Sequence, residues 1–124
     1  MDNQAMGHIV VVEDDTDIAT LYQRLLYNHE TYISETAEDA ISHLALGEDN
    51  PDLVILDFHL PGEPGLAVLD YIRAHPAMAH IKVWGISADD MLKDRAKQKG
   101  LDRFFPKPLE LPQLLTEVRV LLGS

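Results

Sequence analysis

The sequence contains no cysteine, and this absence excludes several kinds of chemistry. A chain without cysteine can form no disulfide framework, and it has no thiolate for nucleophilic attack or for holding zinc. Its absence fits a reducing compartment, so we expect a cytoplasmic location. The polar start, from Met1 to Gln4, does not resemble a secretory signal.

Basic residues and long apolar runs are also scarce. Ten Lys and Arg residues stand against 21 Asp and Glu residues, which gives a formal net charge of -11 at pH 7. Such a charge repels phosphate backbones and anionic lipids, so we expect neither direct nucleic-acid binding nor membrane association. The apolar runs, such as the one from Leu53 to Leu56, are far shorter than the roughly 20 residues that span a bilayer.

The chain does contain a repeated alternation of short apolar runs with segments of helical period. The first run, His8 to Val12, lacks polar alternation, which is typical of a strand buried on both faces. Five strands are predicted in this way, at 8–12, 31–34, 53–56, 82–86 and 103–105. Helices are predicted at 17–27, 37–46, 65–75, 90–99 and 111–122, where apolar residues recur at helical spacing, and each apolar stripe should face a core.

Strands that alternate with helices indicate βα units, and therefore an α/β fold with a parallel sheet covered on both faces. A chain of 124 residues has room for one such domain, which we assign to residues 8–124, and we expect residues 1–7 to be extended or disordered. Thr36 is placed to cap the second helix and Gly47 to end it. The fourth helix has few apolar residues, so we expect it to be loosely held.

Polar residues stand where four of the five predicted strands end. They are Glu13, Asp14 and Asp15 after the first strand, Asp57 after the third, Ser87 after the fourth and Lys107 soon after the fifth. In a doubly wound sheet, ligands bind outside these carboxyl ends, near the point where the strand order reverses. Capping of the following helix is an alternative role for an acid at this place, and it is the better explanation of Asp15 and Asp17.

Capping does not explain Glu13, Asp14 and Asp57, which converge if the first and third strands are neighbours. Carboxylates at close range repel one another, so a positive group is expected among them. Carboxylate oxygens suit a hard cation such as Mg²⁺. An aspartate beside such an ion, a hydroxyl and an ammonium is typical of phosphoryl transfer through an aspartyl phosphate, with Ser87 and Lys107 contacting the transferred group.

Five segments resemble the successive signature segments of response-regulator receiver domains, and their order and spacing match over nearly the whole chain. They are Val-Val-Val-Glu-Asp-Asp at 10–15, Asp-Leu-Val-Ile-Leu-Asp at 52–57, Leu-Pro-Gly-Glu-Pro-Gly at 60–65, Ile-Ser-Ala at 86–88 and Phe-Pro-Lys-Pro at 105–108. The resemblance implies a flavodoxin-like (βα)₅ fold with strand order 2-1-3-4-5. It also implies a cis bond between Lys107 and Pro108.

The resemblance further implies a role for each matching residue. Asp57 is the expected phosphoacceptor, Mg²⁺ is the expected cofactor, and a sensor histidine kinase or a histidine phosphotransfer protein is the expected donor. The expected metal ligands are Glu13, Asp14, Asp57 and the backbone carbonyl of His59, and the expected switch residues are Ser87, Lys107 and Phe104. Such a protein is a signalling switch rather than an enzyme, and the surface that changes is made by the fourth helix, fifth strand and fifth helix.

His59 and Asp89 flank the expected phosphorylation site, and at the first of these two positions a histidine is less common in the family than an aliphatic residue. They stand two residues beyond Asp57 and Ser87, at positions that influence phosphate lifetime in receiver domains. We expect them to interact across the mouth of the site and to alter the access of water, the alternative being that His59 is exposed and has no role. For Phe104 the alternative is simple packing in an edge strand.

Three other functions remain open at this point. A degenerate receiver domain that signals by contact alone is disfavoured by the complete set of site residues. An FMN-binding protein of the same fold needs a Ser/Thr/Gly-rich phosphate loop where this chain has Glu13, Asp14 and Asp15. A phosphatase with an aspartate nucleophile needs a second acid two residues later, and His59 occupies that place.

Overall fold

The computed structural model describes residues 7–47, 50–59 and 65–123, and in them the predicted fold class and strand order are confirmed. Five parallel strands form one sheet in the order β2-β1-β3-β4-β5. The strands are β1 (His8–Val12), β2 (Glu30–Ser34), β3 (Leu53–Asp57), β4 (Lys82–Ser87) and β5 (Arg103–Pro106). The helices are α1 (Thr16–Leu25), α2 (Ala37–Leu46), α3 (Leu66–Arg73), α4 (Met91–Gln98) and α5 (Leu111–Leu122).

Two parts of the sequence prediction lie outside the described residues. They are most of the N-terminal segment, at 1–6, and most of the third signature segment, at 60–64. A short 3₁₀ helix, Pro76–Met78, was not predicted. It lies between α3 and β4. Among the described helices none combines the length and apolarity needed to cross a membrane.

The core is divided into two layers because side chains of a strand alternate between the faces of the sheet. On one face Val10, Val12, Val54 and Leu56 pack with buried residues of α2 and α3 and with one residue of α4. On the other face, strand residues pack against α1 and α5, and they include Ile9, Val11, Leu53 and Ile55. β1 and β3 therefore lie between two apolar layers, which explains why neither shows polar alternation.

Local signals at the helix ends agree with the sequence prediction. The Asp15 carboxylate accepts hydrogen bonds from the backbone N–H groups of Asp17 and Ile18, so Asp15 is the N-cap of α1. Thr36 caps α2 in the same way. Gly47 ends α2 at a φ of 68°, a left-handed conformation that favours glycine.

The prediction that the whole apolar stripe of α1 faces a core is wrong. Tyr22 and Leu26 are buried, whereas Ile18, Leu21 and Leu25 are 37%, 43% and 37% exposed. Tyr22 and Leu26 pack into the core beside the sheet, whereas Ile18 and Leu21 line a surface cavity together with Leu111. An apolar surface is left beside the carboxyl ends of the strands.

α4 contributes little to the described core. Ala96 is its one buried residue among the described positions, and Leu92 packs against the core only in part. Met91, at the start of the helix, is 87% exposed. That α4 is loosely held stays a prediction, and its small apolar contact area is consistent with it.

Trp84 and Gly85 in the middle of β4 have separate packing roles. Trp84 is 3% exposed and its ring lies 5.4 Å from that of Phe105, so it fills the core. Gly85 faces the other layer, where the ring of Phe58 occupies the space of a side chain. A Cβ atom at position 85 would clash with Cζ of Phe58. Because Gly85 has no side chain, the ring of Phe58 can pack over it. Phe58 is the residue that directly follows Asp57.

We predict that Gly85→Ala destabilises the protein by about 1–3 kcal/mol, because the buried Phe58 ring must move to admit the new methyl group. Urea denaturation measures this loss. The double variant Gly85→Ala, Phe58→Leu should recover part of it, since leucine lacks the ring atoms that clash. Equal stability of Gly85→Ala and the wild type would show that Phe58 is not held in this way.

Candidate functional site

The register of the sheet brings the ends of β1 and β3 side by side. Val12 pairs with Leu56, so Glu13 and Asp57 follow at the same level of two neighbouring strands. The backbone N–H of Glu13 donates to the carbonyl of Ser34 on the other side of β1, which continues the sheet by one residue. The strand reversal expected at this edge is present, because β1 lies between β2 and β3.

Glu13, Asp14 and Asp57 each offer a carboxylate oxygen, and these three oxygens all lie within 4.8 Å of one another. Glu13 and Asp57 are buried, with 6% and 4% of their surface exposed, whereas Asp14 is exposed. The predicted convergence of the three acids therefore exists in the fold. We call these three residues the acidic cluster.

Lys107 supplies the positive group that the acidic cluster requires. Its Nζ lies 3.1 Å from Oδ2 of Asp57 and forms a half-buried ion pair with it. The backbone N–H of Lys107 donates to the carbonyl of Ser87, which joins the loop after β5 to the end of β4. The bond between Lys107 and Pro108 is cis, as the resemblance implied.

The second oxygen of Asp57 is held by the backbone. Its Oδ1 accepts a hydrogen bond of 2.9 Å from the N–H of His59. Both carboxylate oxygens thus have a partner, which fixes the carboxylate at the mouth of the site. Gly65 contributes here too, because a Cβ at that position would lie 2.6 Å from the backbone oxygen of Asp57. The chain after the acidic residue can therefore approach the start of α3 closely.

Ser87 lies at the end of β4 and is fully buried. Its Oγ accepts a hydrogen bond of 2.9 Å from the N–H of Asp89, and it lies 3.2 Å from Nε2 of His59. The Asp89 carboxylate accepts from the N–H of Met91. The expected interaction between His59 and Asp89 is thus replaced, among the described contacts, by one between His59 and Ser87.

Phe104 lies on β5, one strand away from Ser87 and outside the acidic cluster. It is half-buried and its ring centroid is 6.5 Å from that of Phe58. Gly85 is its partner on β4. The ring of Phe58, the residue that follows β3, packs over Gly85 from the other side. This arrangement connects the residue after Asp57 with the edge of the sheet.

Burial raises the pKa of Glu13 from its usual 4.5 to about 7, and the charges of Asp57 and Asp14 act in the same direction. The N–H of Asp15 and the charge of Lys107 oppose this increase without cancelling it. A carboxyl whose ionised form is disfavoured gains most from a nearby cation. Lys107 alone does not fully compensate the acidic cluster.

Tyr22 is a residue of this site that sequence reasoning missed. Its side chain is 2% exposed, and its hydroxyl has no hydrogen-bond partner among the described residues. Burial, together with the charges of Glu13 and Asp57, raises the pKa of this hydroxyl. In the sequence Tyr22 belongs to the apolar stripe of α1, and nothing in the pattern shows that its polar end reaches the acidic cluster.

The residues of the cluster fit a small hard cation. All the side-chain donors are carboxylate oxygens, they converge from two strand ends, and the environment of Glu13 penalises an uncompensated negative charge. Mg²⁺ favours such oxygen ligands and commonly retains waters, for which the exposed side of Asp14 leaves room. No sulfur or paired imidazole donors that would favour zinc belong to the cluster found in the described residues.

Comparison with known proteins gives a consistent result. A family model described as the response regulator receiver domain matches residues 9–119. The polar-differentiation response regulator DivK of Brucella ovis is 27% identical over 120 residues, covering 94% of this chain and 96% of that protein. The match thus spans nearly the full length of both.

Two solved structures illustrate the structural likeness. The signal receiver domain of a DNA-binding response regulator from Colwellia psychrerythraea is 26% identical, with a TM-score of 0.82, and the match covers 95% of this chain and 99% of that one. The receiver domain of a sensor histidine kinase from Pseudomonas aeruginosa, which has a magnesium ion coordinated in its active-site cleft, is 20% identical with a TM-score of 0.79. That match covers 95% of this chain and 98% of the other, and it shows a shared fold.

We predict that Glu13 makes the fold less stable as the pH rises from about 4.5 to about 7 in metal-free buffer. The folded state holds the Glu13 proton up to the higher pKa, and the unfolded chain releases it near 4.5, so the free energy of unfolding falls across this window. Glu13→Gln removes this contribution, and its stability relative to the wild type should therefore increase with pH. Urea denaturation in EDTA at pH 4.5, 6 and 7.5 measures both proteins, and parallel pH profiles would contradict the assignment.

Proposed function

The chain belongs to the response regulator receiver domain family, and on this premise we propose that it accepts a phosphoryl group on Asp57 from a phosphohistidine donor. The observation that carries the proposal is the acidic cluster with the Lys107 ammonium 3.1 Å from Asp57. A buried carboxylate beside a fixed ammonium is placed to take up a strongly anionic group. The donor is a sensor histidine kinase or a histidine phosphotransfer protein.

In the proposed reaction one carboxylate oxygen of Asp57 attacks the phosphorus atom of the donor. The new O–P bond forms as the P–N bond to the donor imidazole breaks, and the electron pair stays on the imidazole nitrogen. Lys107 and the Ser87 hydroxyl hold oxygens of the transferred group, so the reaction depends on positioning and charge rather than on a strong base. The product is an acyl phosphate on Asp57.

We propose Mg²⁺ as the cofactor, held by Glu13, Asp14, Asp57 and the backbone carbonyl of His59. When bound, the ion neutralises charge on the carboxylates and on the transferred phosphoryl group. The fit of the oxygen donors supports this proposal, and the magnesium ion in the Pseudomonas receiver domain is consistent with it. Hydrolysis of the acyl phosphate by water returns Asp57, so the protein acts on itself as a signalling switch and turns over no separate substrate.

The donor has to approach a surface that the structure leaves apolar. A cavity of about 310 Å³ adjoins Glu13 and Lys107 and is lined on its other sides by apolar residues of α1, of the loop after β5 and of α5. Ile18 and Leu21 line it, and both are exposed. We propose that a helix of the donor, carrying the phosphohistidine, packs against this surface as it reaches Asp57.

The signal proposed to follow is a change in the surface made by α4, β5 and α5. Ser87 turns towards the phosphoryl group, the space beside it becomes available to Phe104, and the populations of two surface conformations shift. The half-exposed position of Phe104 and the small contact of α4 with the core support this part of the proposal. The effector that recognises the altered surface is another protein or domain. The receiver domain itself is expected in the cytoplasm because its sequence lacks cysteine.

Two competing functions are less well supported. For an FMN protein, the first loop carries Glu13 and Asp14, whose negative charges oppose a phosphate group. For a phosphatase of the aspartate-nucleophile class, the residue two positions after Asp57 is His59, whose imidazole contacts Ser87. Neither competing function explains the ion pair between Lys107 and Asp57 as directly as phosphoacceptance does.

We predict that incubation with acetyl phosphate and Mg²⁺ adds about 80 Da to the intact mass of the wild type, the mass of one phosphoryl group in an aspartyl phosphate. Asp57→Asn should gain no mass, because an amide is a poor nucleophile, and Asp52→Asn serves as the matched control that still gains it. Addition of EDTA should abolish the gain. An equal mass increase in wild type and Asp57→Asn would show that another residue accepts the group.

A further inference from the structure

The Ser87 hydroxyl has two partners within the protein. It accepts from the Asp89 N–H at 2.9 Å and lies 3.2 Å from the imidazole Nε2 of His59. Ser87 is fully buried, whereas His59 is exposed, so the histidine covers the hydroxyl from the solvent side. None of the roles that the sequence pattern suggested for His59 involves a contact with Ser87.

A hydroxyl has one donor and two acceptor positions, and the contacts of Ser87 occupy most of them. The Asp89 N–H takes one acceptor position. If Nε2 of His59 is unprotonated, the Ser87 O–H donates to it, and if Nε2 carries the proton, it fills the second acceptor position of Oγ. In both tautomers the hydroxyl oxygen is held towards His59.

The geometry points to His59 as a latch on Ser87, a role that rests on the proposed phosphorylation of Asp57. Because both residues adjoin Asp57, a phosphoryl group there competes with the imidazole for the same hydroxyl. Phosphorylation exchanges the hydrogen bond between His59 and Ser87 for one between Ser87 and a phosphoryl oxygen. His59 is thus a positioning residue that favours the unphosphorylated arrangement and acts only through Ser87.

The latch is also connected to the switch residue. Ser87 is the last residue of β4, and Gly85, two residues earlier, is the strand partner of Phe104. A Ser87 side chain held by His59 keeps its space filled, so Phe104 stays at its half-exposed position on β5. Release of Ser87 from His59 then precedes any inward movement of Phe104.

Beryllofluoride with Mg²⁺, used as the probe for the phosphoryl group at one fixed pH, tests the latch. His59→Leu should bind it about three- to tenfold more tightly than the wild type, the ratio expected from removing one competing hydrogen bond. His59→Gln, whose amide reaches as far as Nε2, should stay close to the wild type. The matched control is His80→Leu, which should bind as the wild type does. His80 is exposed and lies before β4, at the amino-terminal ends of the strands.

A double-mutant cycle separates a latch from other effects of His59. In the Ser87→Ala background the change His59→Leu should leave beryllofluoride affinity unaltered, since there is no hydroxyl to release. The ring-nitrogen resonances of His59 provide a spectroscopic readout. Addition of beryllofluoride to the wild type should move the Nε2 resonance towards its value in Ser87→Ala.

The outcomes distinguish the latch from the proposed function itself. If the wild type binds no beryllofluoride, phosphorylation of Asp57 is contradicted and the latch with it. If the wild type binds it but His59→Leu binds equally or more weakly, phosphorylation stands and the latch is contradicted. An equal effect of His59→Leu with and without the Ser87 hydroxyl also contradicts the latch.

Discussion

In the part of the chain that the structure describes, three carboxylates share one edge of the sheet with a single ammonium group, and most features of the site follow from this imbalance of charge. Glu13 and Asp57 are buried, and Lys107 pairs directly with Asp57. The raised pKa of Glu13 reflects the cost of its burial and the charge that remains. In the proposed function, the site takes up a dication and then an anionic phosphoryl group, and each step changes this balance of charge. Such changes are how an electrostatic site can control a conformational equilibrium.

Side-chain contacts of a few residues connect the acidic cluster with the outer surface. Ser87 ends the strand next to Asp57, and its hydroxyl lies 3.2 Å from Nε2 of His59. Phe58, directly after Asp57, fills the space above Gly85 and lies near Phe104 at the edge of the sheet. A change at Asp57 therefore meets two neighbouring contacts, one polar and one aromatic, and both lead to β5.

The alternation of strands and helices and the members of the acidic cluster could be predicted from sequence because both depend on the strands. The strand order was implied by the resemblance to receiver domains. A run such as that of β3 is apolar without alternation, and its end is the edge where polar residues must meet, so Asp57 could be placed before any coordinates. The remaining features depend on tertiary contacts between side chains distant in sequence. The hydroxyl of Tyr22 and the contact between His59 and Ser87 are examples, and so is the exposed row of α1, since helical spacing shows that a stripe is apolar but not how much of it the sheet covers.

The melting temperature as a function of Mg²⁺ concentration, for the wild type and Asp57→Asn, tests the central claim most directly. A ligand that binds only the folded state stabilises it, so millimolar Mg²⁺ should raise the melting temperature of the wild type by roughly 5 °C. Asp57→Asn, which removes one of the repelling charges, should melt at a higher temperature than the wild type without any metal. A wild type that does not respond to millimolar Mg²⁺, together with an Asp57→Asn variant no more stable than the wild type, would contradict a charge-strained cation site at this edge of the sheet.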